Sequence, residues 1–151
     1  MNRFKVSLST DGSCRNNPGQ GGYWAILRFG EHMTELGGYD ERTTNNRMEL
    51  TAVIEAVRAL KKPCDIALYT DSMYVINGIN GAKENYARGW KTKSGAKMVN
   101  ADLWQELTDV KAAGKHKFQC IHIKSHTGNP DNERCDKMAR QQIQLHTLGE
   151  G

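Results

Sequence analysis

Several features are scarce in this chain, and each scarcity removes a class of protein. No apolar run approaches the length of a bilayer span, and the opening "MNRFKVSLS" alternates polar and apolar residues where a secretory leader carries a continuous apolar core. A membrane association is therefore not expected, and the chain reads as a cytoplasmic monomer. Cysteines number four (Cys14, Cys64, Cys120 and Cys135), with no CxxC pair among them, which excludes a disulfide framework and a zinc ribbon and leaves reduced thiols. There is no internal repeat, no low-complexity tract and no linker, so solenoids and tandem modules fall away. Charge of one sign does not dominate either: 21 basic against 17 acidic side chains leave 21 − 17 = +4. That balance favours a polyanionic partner only mildly.

What is present suits one domain with a real core, residues 1–151, at 38% hydrophobic and 25% charged residues. In "RFKVSLST", residues 3–10, Phe4, Val6 and Leu8 alternate with polar neighbours, the period of a half-buried strand. "GYWAILRF", 22–29, predicts a more buried strand, and the "GE" turn at 30–31 leads into a third, "HMTELGGY". Short connections imply an antiparallel meander. The period then changes to helical over 43–63, where Leu50, Val53, Ile54, Val57 and Leu60 recur, with caps offered by Thr44 through Asn46 and a stop at Pro63. "DIALYT", 65–70, predicts a strand parallel to an earlier one. A short helix over 71–79, a helix over 100–114, a strand over 117–124 and a helix over 129–144 complete the order. Asn129 as cap with Pro130 at the first helical position marks the last start strongly. The order βββαβαβα predicts an α/β fold, a five-stranded mixed sheet flanked by helices.

The carboxylates stand out against this frame. "STDGS" and "YTDSM" each end a predicted strand in Thr-Asp, placing Asp11 and Asp71 at one sheet edge if the strands are parallel neighbours. One Asp there is an ordinary turn residue. Two on adjacent strands repel, and a cation would offset that cost. Glu49, early in the first long helix, reads either as the far end of an Asn46-x-x-Glu49 capping box or as a third ligand. Asp136 reads either as an i,i+4 partner of Arg140 or as a fourth. Four acids from four elements would make an all-oxygen site suited to Mg²⁺ or Mn²⁺ and to phosphodiester chemistry. A basic cluster, Lys83, Arg88, Lys91, Lys93 and Lys97, surrounds Tyr86 and Trp90.

The stretches "TDGSCRNNPGQGGY", "RTTNNRMEL", "YTDSMYVINGI", "RGWKT", "VNADLW" and "SHTGNPDNERCD" occur in order over roughly residues 4–140. Together they closely resemble type 1 ribonuclease H. The resemblance implies a ribonuclease H-like fold and a metal-dependent endoribonuclease that cuts the RNA strand of RNA–DNA hybrids, leaving 3′-hydroxyl and 5′-phosphate ends. It implies that Asp11, Glu49, Asp71 and Asp136 hold two Mg²⁺ ions, with Mn²⁺ able to substitute, and that Asp11 bridges them. Asp136 would serve the ion that activates water, and Glu49 and Asp71 the ion at the leaving oxygen. His126, in "KSHTG", matches a loop histidine that assists proton transfer or product release. Cys14, Asn17, Asn45 and Asn46 match positions along the minor groove of the hybrid, where the 2′-hydroxyl is sensed. Thr44 and Asn100, with Arg42, match a pocket for a DNA-strand phosphate. Tyr86 and Trp90 belong to a basic handle at about 80–99.

Two departures qualify the match. Met73 stands where bacterial members often carry Gln. In the handle, Ala82 and Tyr86 occupy positions where two tryptophans are usual, so Trp90 is read either as a packing surface or as the anchor of the handle. Other readings are a non-catalytic hybrid-binding module, which loss of any of the four acids would favour, and another nuclease or integrase of the same superfamily. The NNR and HTG motifs speak against the latter.

Overall fold

The computed structural model describes residues 3–124 and 128–150. Its elements are β1 (Phe4–Cys14), β2 (Gly19–Phe29), β3 (His32–Thr43), α1 (Asn45–Arg58), β4 (Cys64–Thr70), α2 (Met73–Asn80), α3 (Ala82–Ala87), α4 (Ala101–Ala113), β5 (Lys117–His122) and α5 (Pro130–Glu150). The five strands form one sheet in the order β3-β2-β1-β4-β5. β1, β2 and β3 pair antiparallel as a meander, and β4 joins β1, then β5 joins β4, in parallel. The expected five-stranded mixed sheet is thus the observed one, with α2, α3 and α4 all lying between β4 and β5.

The two faces of the sheet are set by the alternation of the strands. Val6 and Leu8 of β1, Ala25 and Leu27 of β2, and Ile66 and Leu68 of β4 pack with Leu50, Val53, Ile54 and Val57 of α1 and Leu103, Trp104 and Leu107 of α4. On the opposite face, α5 lies across β1 and β2 through Cys135, Ala139 and Ile143, all buried. Burying each of the large aliphatic side chains contributes about 1.5–3 kcal/mol relative to exposure. The sheet is therefore clamped between an acid-bearing helix on each side, α1 with Glu49 and α5 with Asp136.

Boundaries moved where pairing outlasts the hydrophobic pattern. β1 runs to Cys14, four residues beyond the predicted 3–10, because Gly12, Ser13 and Cys14 stay paired with Tyr23, Gly22 and Gly21 of β2. β3 runs on to Thr43 for the same reason. Asp11 is consequently inside a strand, not at its end. The parallel pairing with β4, however, stops at Ser9↔Tyr69. α3 was not anticipated; its sequence "AKENYA" is good helix-forming material without a cap side chain.

Candidate active site

The register of β1 against β4 is a constant offset, Leu8↔Leu68 and Ser9↔Tyr69. Continued two residues, it sets Asp11 opposite Asp71 at the carboxyl end of the parallel pair, where open α/β sheets bind ligands. Thr10 and Thr70, the residues just before, are fully buried. Thr70 Oγ1 accepts the Ser72 N–H at 3.1 Å and so turns the chain immediately after Asp71.

Glu49 arrives from α1. The N-cap of that helix is Thr44, whose Oγ1 accepts the Arg47 N–H at 3.2 Å. This removes the capping-box alternative for Glu49: Asn46 is inside the helix, and Glu49 has no capping duty. The helix start comes very close to β1 because residue 12 is glycine. A Cβ there would stand 2.5 Å from Glu49 N and 2.7 Å from Met48 C, both main-chain atoms.

Asp11, Glu49 and Asp71 each offer an oxygen, and these oxygens lie within 4.8 Å of one another. Asp11 is 6% exposed and Glu49 8%. Burial pushes the Asp11 carboxyl up to about 6, reinforced by the charges of Asp71 and Asp136 and opposed by a hydrogen bond from Glu49. Burial likewise holds Glu49 well above the usual carboxylate range, with Asp11 adding to it. The interaction between the two carboxyls lowers Asp11 and raises Glu49, which favours a shared proton on the Glu49 side. Its second oxygen, Oε2, is buried with no hydrogen-bond partner. Asp136 stands outside this group of three, half-buried on α5, with Arg140 Nη2 at 3.0 Å from its Oδ2. The i,i+4 partnership is thus formed. His126 lies outside the described residues.

The residues assigned to the hybrid come together from separate parts of the chain. Cys14 Sγ approaches the Thr43 carbonyl at 3.3 Å, and Asn17 Oδ1 accepts the Asn45 N–H at 3.0 Å. The loop at 15–18 is therefore tied to the start of α1, with Asn17, Asn45 and Asn46 exposed beside it. Thr44 and Asn100 are joined through a residue the sequence reading passed over: Arg47 donates its backbone N–H to Thr44 and Nη1 to Asn100 Oδ1 at 3.2 Å. Arg47 also forks onto Asp102 at 3.0 and 2.7 Å. No local signal could have revealed this, since its partners are 53 and 55 residues away. Arg42 is exposed next to Thr43.

The handle resolves the two readings of Trp90. Its ring is 6% exposed, its indole N–H donates to Gln105 Oε1 at 2.7 Å, and it joins the core. It is an anchor, so as a contact to substrate the assignment is corrected. Tyr86 is 55% exposed and meets Trp90 edge-on at 6.3 Å. Ala82 is half-buried against the core and lines a cavity shared with Tyr86 and Trp104. Tyr86→Ala should therefore cost only about 1 kcal/mol of stability, the worth of one aromatic pair. If the handle grips substrate, that change should raise KM several-fold while kcat stays nearly constant, the sign of lost uniform binding. Steady-state kinetics across a salt titration would measure both, and an unchanged KM at every salt concentration would exclude Tyr86 from the contact surface.

The family model described as RNase H matches residues 3–144. The chain belongs to the ribonuclease H family. Among relatives named Ribonuclease H, that of Chlorobium luteolum is 48% identical over 93% of this chain and 96% of its own length. The Ribonuclease H of Dechloromonas aromatica is 50% identical, covering 92% and 93%. Of solved structures, LC9-RNase H1, a type 1 RNase H with the type 2 active-site motif, superposes with a TM-score of 0.83 at 28% identity, over 95% of this chain and 74% of that one. LC11-RNase H1, solved in complex with an RNA/DNA hybrid, shares the ribonuclease H fold with a TM-score of 0.72 at 20% identity, over 94% and 99% of the two chains.

Proposed function

We propose that this ribonuclease H-family chain is a divalent-cation-dependent endonuclease that hydrolyses the RNA strand of RNA–DNA hybrids, leaving 5′-phosphate and 3′-hydroxyl ends. The observation that carries the reading is the convergence of Asp11, Glu49 and Asp71 within 4.8 Å, including a buried Glu49 oxygen without a partner. Carboxylates so placed repel one another when ionised, and a hard cation with oxygen ligands answers both the repulsion and the orphaned atom. Two Mg²⁺ ions, for which Mn²⁺ substitutes, would be held by these three with Asp136. Bound there, they supply Lewis-acid stabilisation of phosphoryl charge and lower the pKa of water.

The chain's own residues do the rest. Asp11 and Glu49 would give up the proton they share when a cation binds; the four carboxylates alone form a strongly negative site, which two divalent cations would bring near neutrality so that a phosphate can enter. Cys14, Asn17, Asn45 and Asn46 follow the RNA sugars, where a 2′-hydroxyl distinguishes RNA from DNA. Thr44, Asn100 and Arg42 receive a DNA-strand phosphate, with Arg47 fixing the first two. The handle at about 80–99, through Tyr86 and its lysines, adds salt-dependent grip. His126 assists turnover, as the family resemblance implies. Among the described residues no helix is long and apolar enough to cross a membrane, and the four cysteines are free thiols.

The test is cleavage of matched RNA–DNA, RNA–RNA and DNA–DNA duplexes with and without Mg²⁺. Only the hybrid should be cut, and only with the cation. Because several sugars are read in succession, a lone ribonucleotide embedded in DNA should be cut at least about tenfold more slowly, the loss of one or two hydrogen bonds to charged or polar groups. Efficient cutting at the lone site would overturn the 2′-hydroxyl assignment, and equal cutting of all three duplexes would overturn the substrate.

A further inference from the structure

α5 seats itself on the sheet through Asn132, Cys135, Ala139 and Ile143, all buried, and Cys135 Sγ reaches the Ser9 carbonyl at 3.4 Å. Its first turns are held from outside by two forked ion pairs, Arg28 with Asp131 at 2.7 and 2.9 Å and Arg134 with Glu35 at 2.5 and 3.0 Å. The tightest approach is over β2. A Cβ built on Gly22 would stand 2.2 Å from the main-chain oxygen of Ala139 and 2.9 Å from Gln142 Cβ. The helix thus rests backbone against backbone, and no change of rotamer would relieve a methyl group placed between them. Gly22 is not a left-handed residue, so glycine is required here by space and not by conformation. On β1 it pairs with Ser13, two residues beyond Asp11, and on α5 Ala139 is one helical turn from Asp136.

We infer that Gly22 is a positioning residue for Asp136: the missing side chain sets how closely α5 approaches the sheet, and so how far the Asp136 carboxylate reaches toward Asp11. This rests on the reading of Asp136 as a cation ligand. The ion pairs fix where the helix starts, and Gly22 sets its height. Relieving the collision requires a displacement of roughly 1 Å, and a misplacement of that size can cost on the order of a hundredfold in rate.

The experiment is a double-mutant cycle of Gly22→Ala and Asp136→Asn, read by calorimetric titration with Mn²⁺ alone and by Mg²⁺-dependent hybrid cleavage. Gly78→Ala serves as the control for plain overpacking, since a Cβ there meets the Trp104 ring at 2.0 Å on the other side of the sheet. Gly22→Ala should weaken Mn²⁺ binding several-fold and slow cleavage by about ten- to a hundredfold, and should add nothing further in the Asp136→Asn background. Gly78→Ala should lower the melting temperature without weakening Mn²⁺ binding. Wild-type Mn²⁺ binding in Gly22→Ala, or losses that multiply with those of Asp136→Asn, would overturn the inference. If Asp136→Asn itself binds Mn²⁺ and cleaves like the parent, the cation-ligand reading falls and the inference with it; a defective Asp136→Asn beside an unimpaired Gly22→Ala sinks the inference alone. Should Gly22→Ala not fold, Glu35→Gln loosens the same helix through Arg134. A smaller loss that also vanishes in the Asp136→Asn background supports the seat, and an additive loss overturns it.

Discussion

Asp11→Asn should lose at least about a thousandfold in hybrid cleavage, equivalent to about 4 kcal/mol of transition-state stabilisation, while folding as well as the parent or better. The two halves of this expectation come from one geometry. Asp11 stands where β1 leaves β4, buried, with Glu49 and Asp71 in ligand range. A neutral amide of the same shape removes a charge that a cation requires. It also removes a charge that the cation-free fold tolerates poorly, since burial and the neighbouring acids push this carboxyl up to about 6. Asp71→Asn should behave alike in activity. Circular dichroism and thermal melting in chelator would show intact folding, and single-turnover assays would show the loss. An Asp11→Asn protein with parental activity would end the cation-site reading, and one that does not fold would show that Asp11 is chiefly structural.

Much of this was legible in the sequence because the informative signals are local. Period-2 alternation in "FKVSLS" and period-3.6 recurrence through Leu50, Val53, Ile54 and Val57 report which face is buried, and the observed core uses those residues. The two Thr-Asp strand ends were readable as a pair because parallel neighbours share a register. What escaped is non-local. β1 continues past Asp11 because β2 supplies partners, which the sequence of β1 does not record. Arg47 binds partners across the fold. Gly12, Gly21 and Gly22 look like turn residues in "GSCRNNPGQGG", yet all three lie in strands, where they admit α1 and α5 to the sheet. A glycine chosen for space and one chosen for a turn are identical until the neighbour is known.

The cation-free protein should lose stability as pH rises across the range in which Asp11 ionises, and a divalent cation should reverse that loss. The sign follows from proton linkage. Asp11 has its folded-state pKa raised from 3.8 to about 6, and Glu49 is raised as well. Between the unfolded and folded values the folded state binds more protons, so stability falls with rising pH. For Asp11 the window opens near pH 4 and closes near pH 6, with Glu49 extending it upward. A shift of this size corresponds to on the order of 1–3 kcal/mol. His116 acts oppositely over part of the same range. Its buried ring accepts the Cys64 N–H at 3.1 Å and its pKa is lowered by burial, so stability from that group rises with pH up to its unfolded value. Carboxylates held down by arginine, such as Asp102 at about 2, act only in stronger acid, where their stabilisation is lost as pH falls. The decisive quantity is therefore the difference between parent and Asp11→Asn at each pH, in which His116 and Asp102 cancel. In chelator, Asp11→Asn should gain on the parent from about pH 4 and level off above about pH 6. In excess Mg²⁺ the parent should recover the deficit at pH 7.5 and little of it at pH 4.5, where the protons still occupy the site. Parallel melting curves for the two proteins across pH, with or without Mg²⁺, would show that the buried acids are not what the cation stabilises.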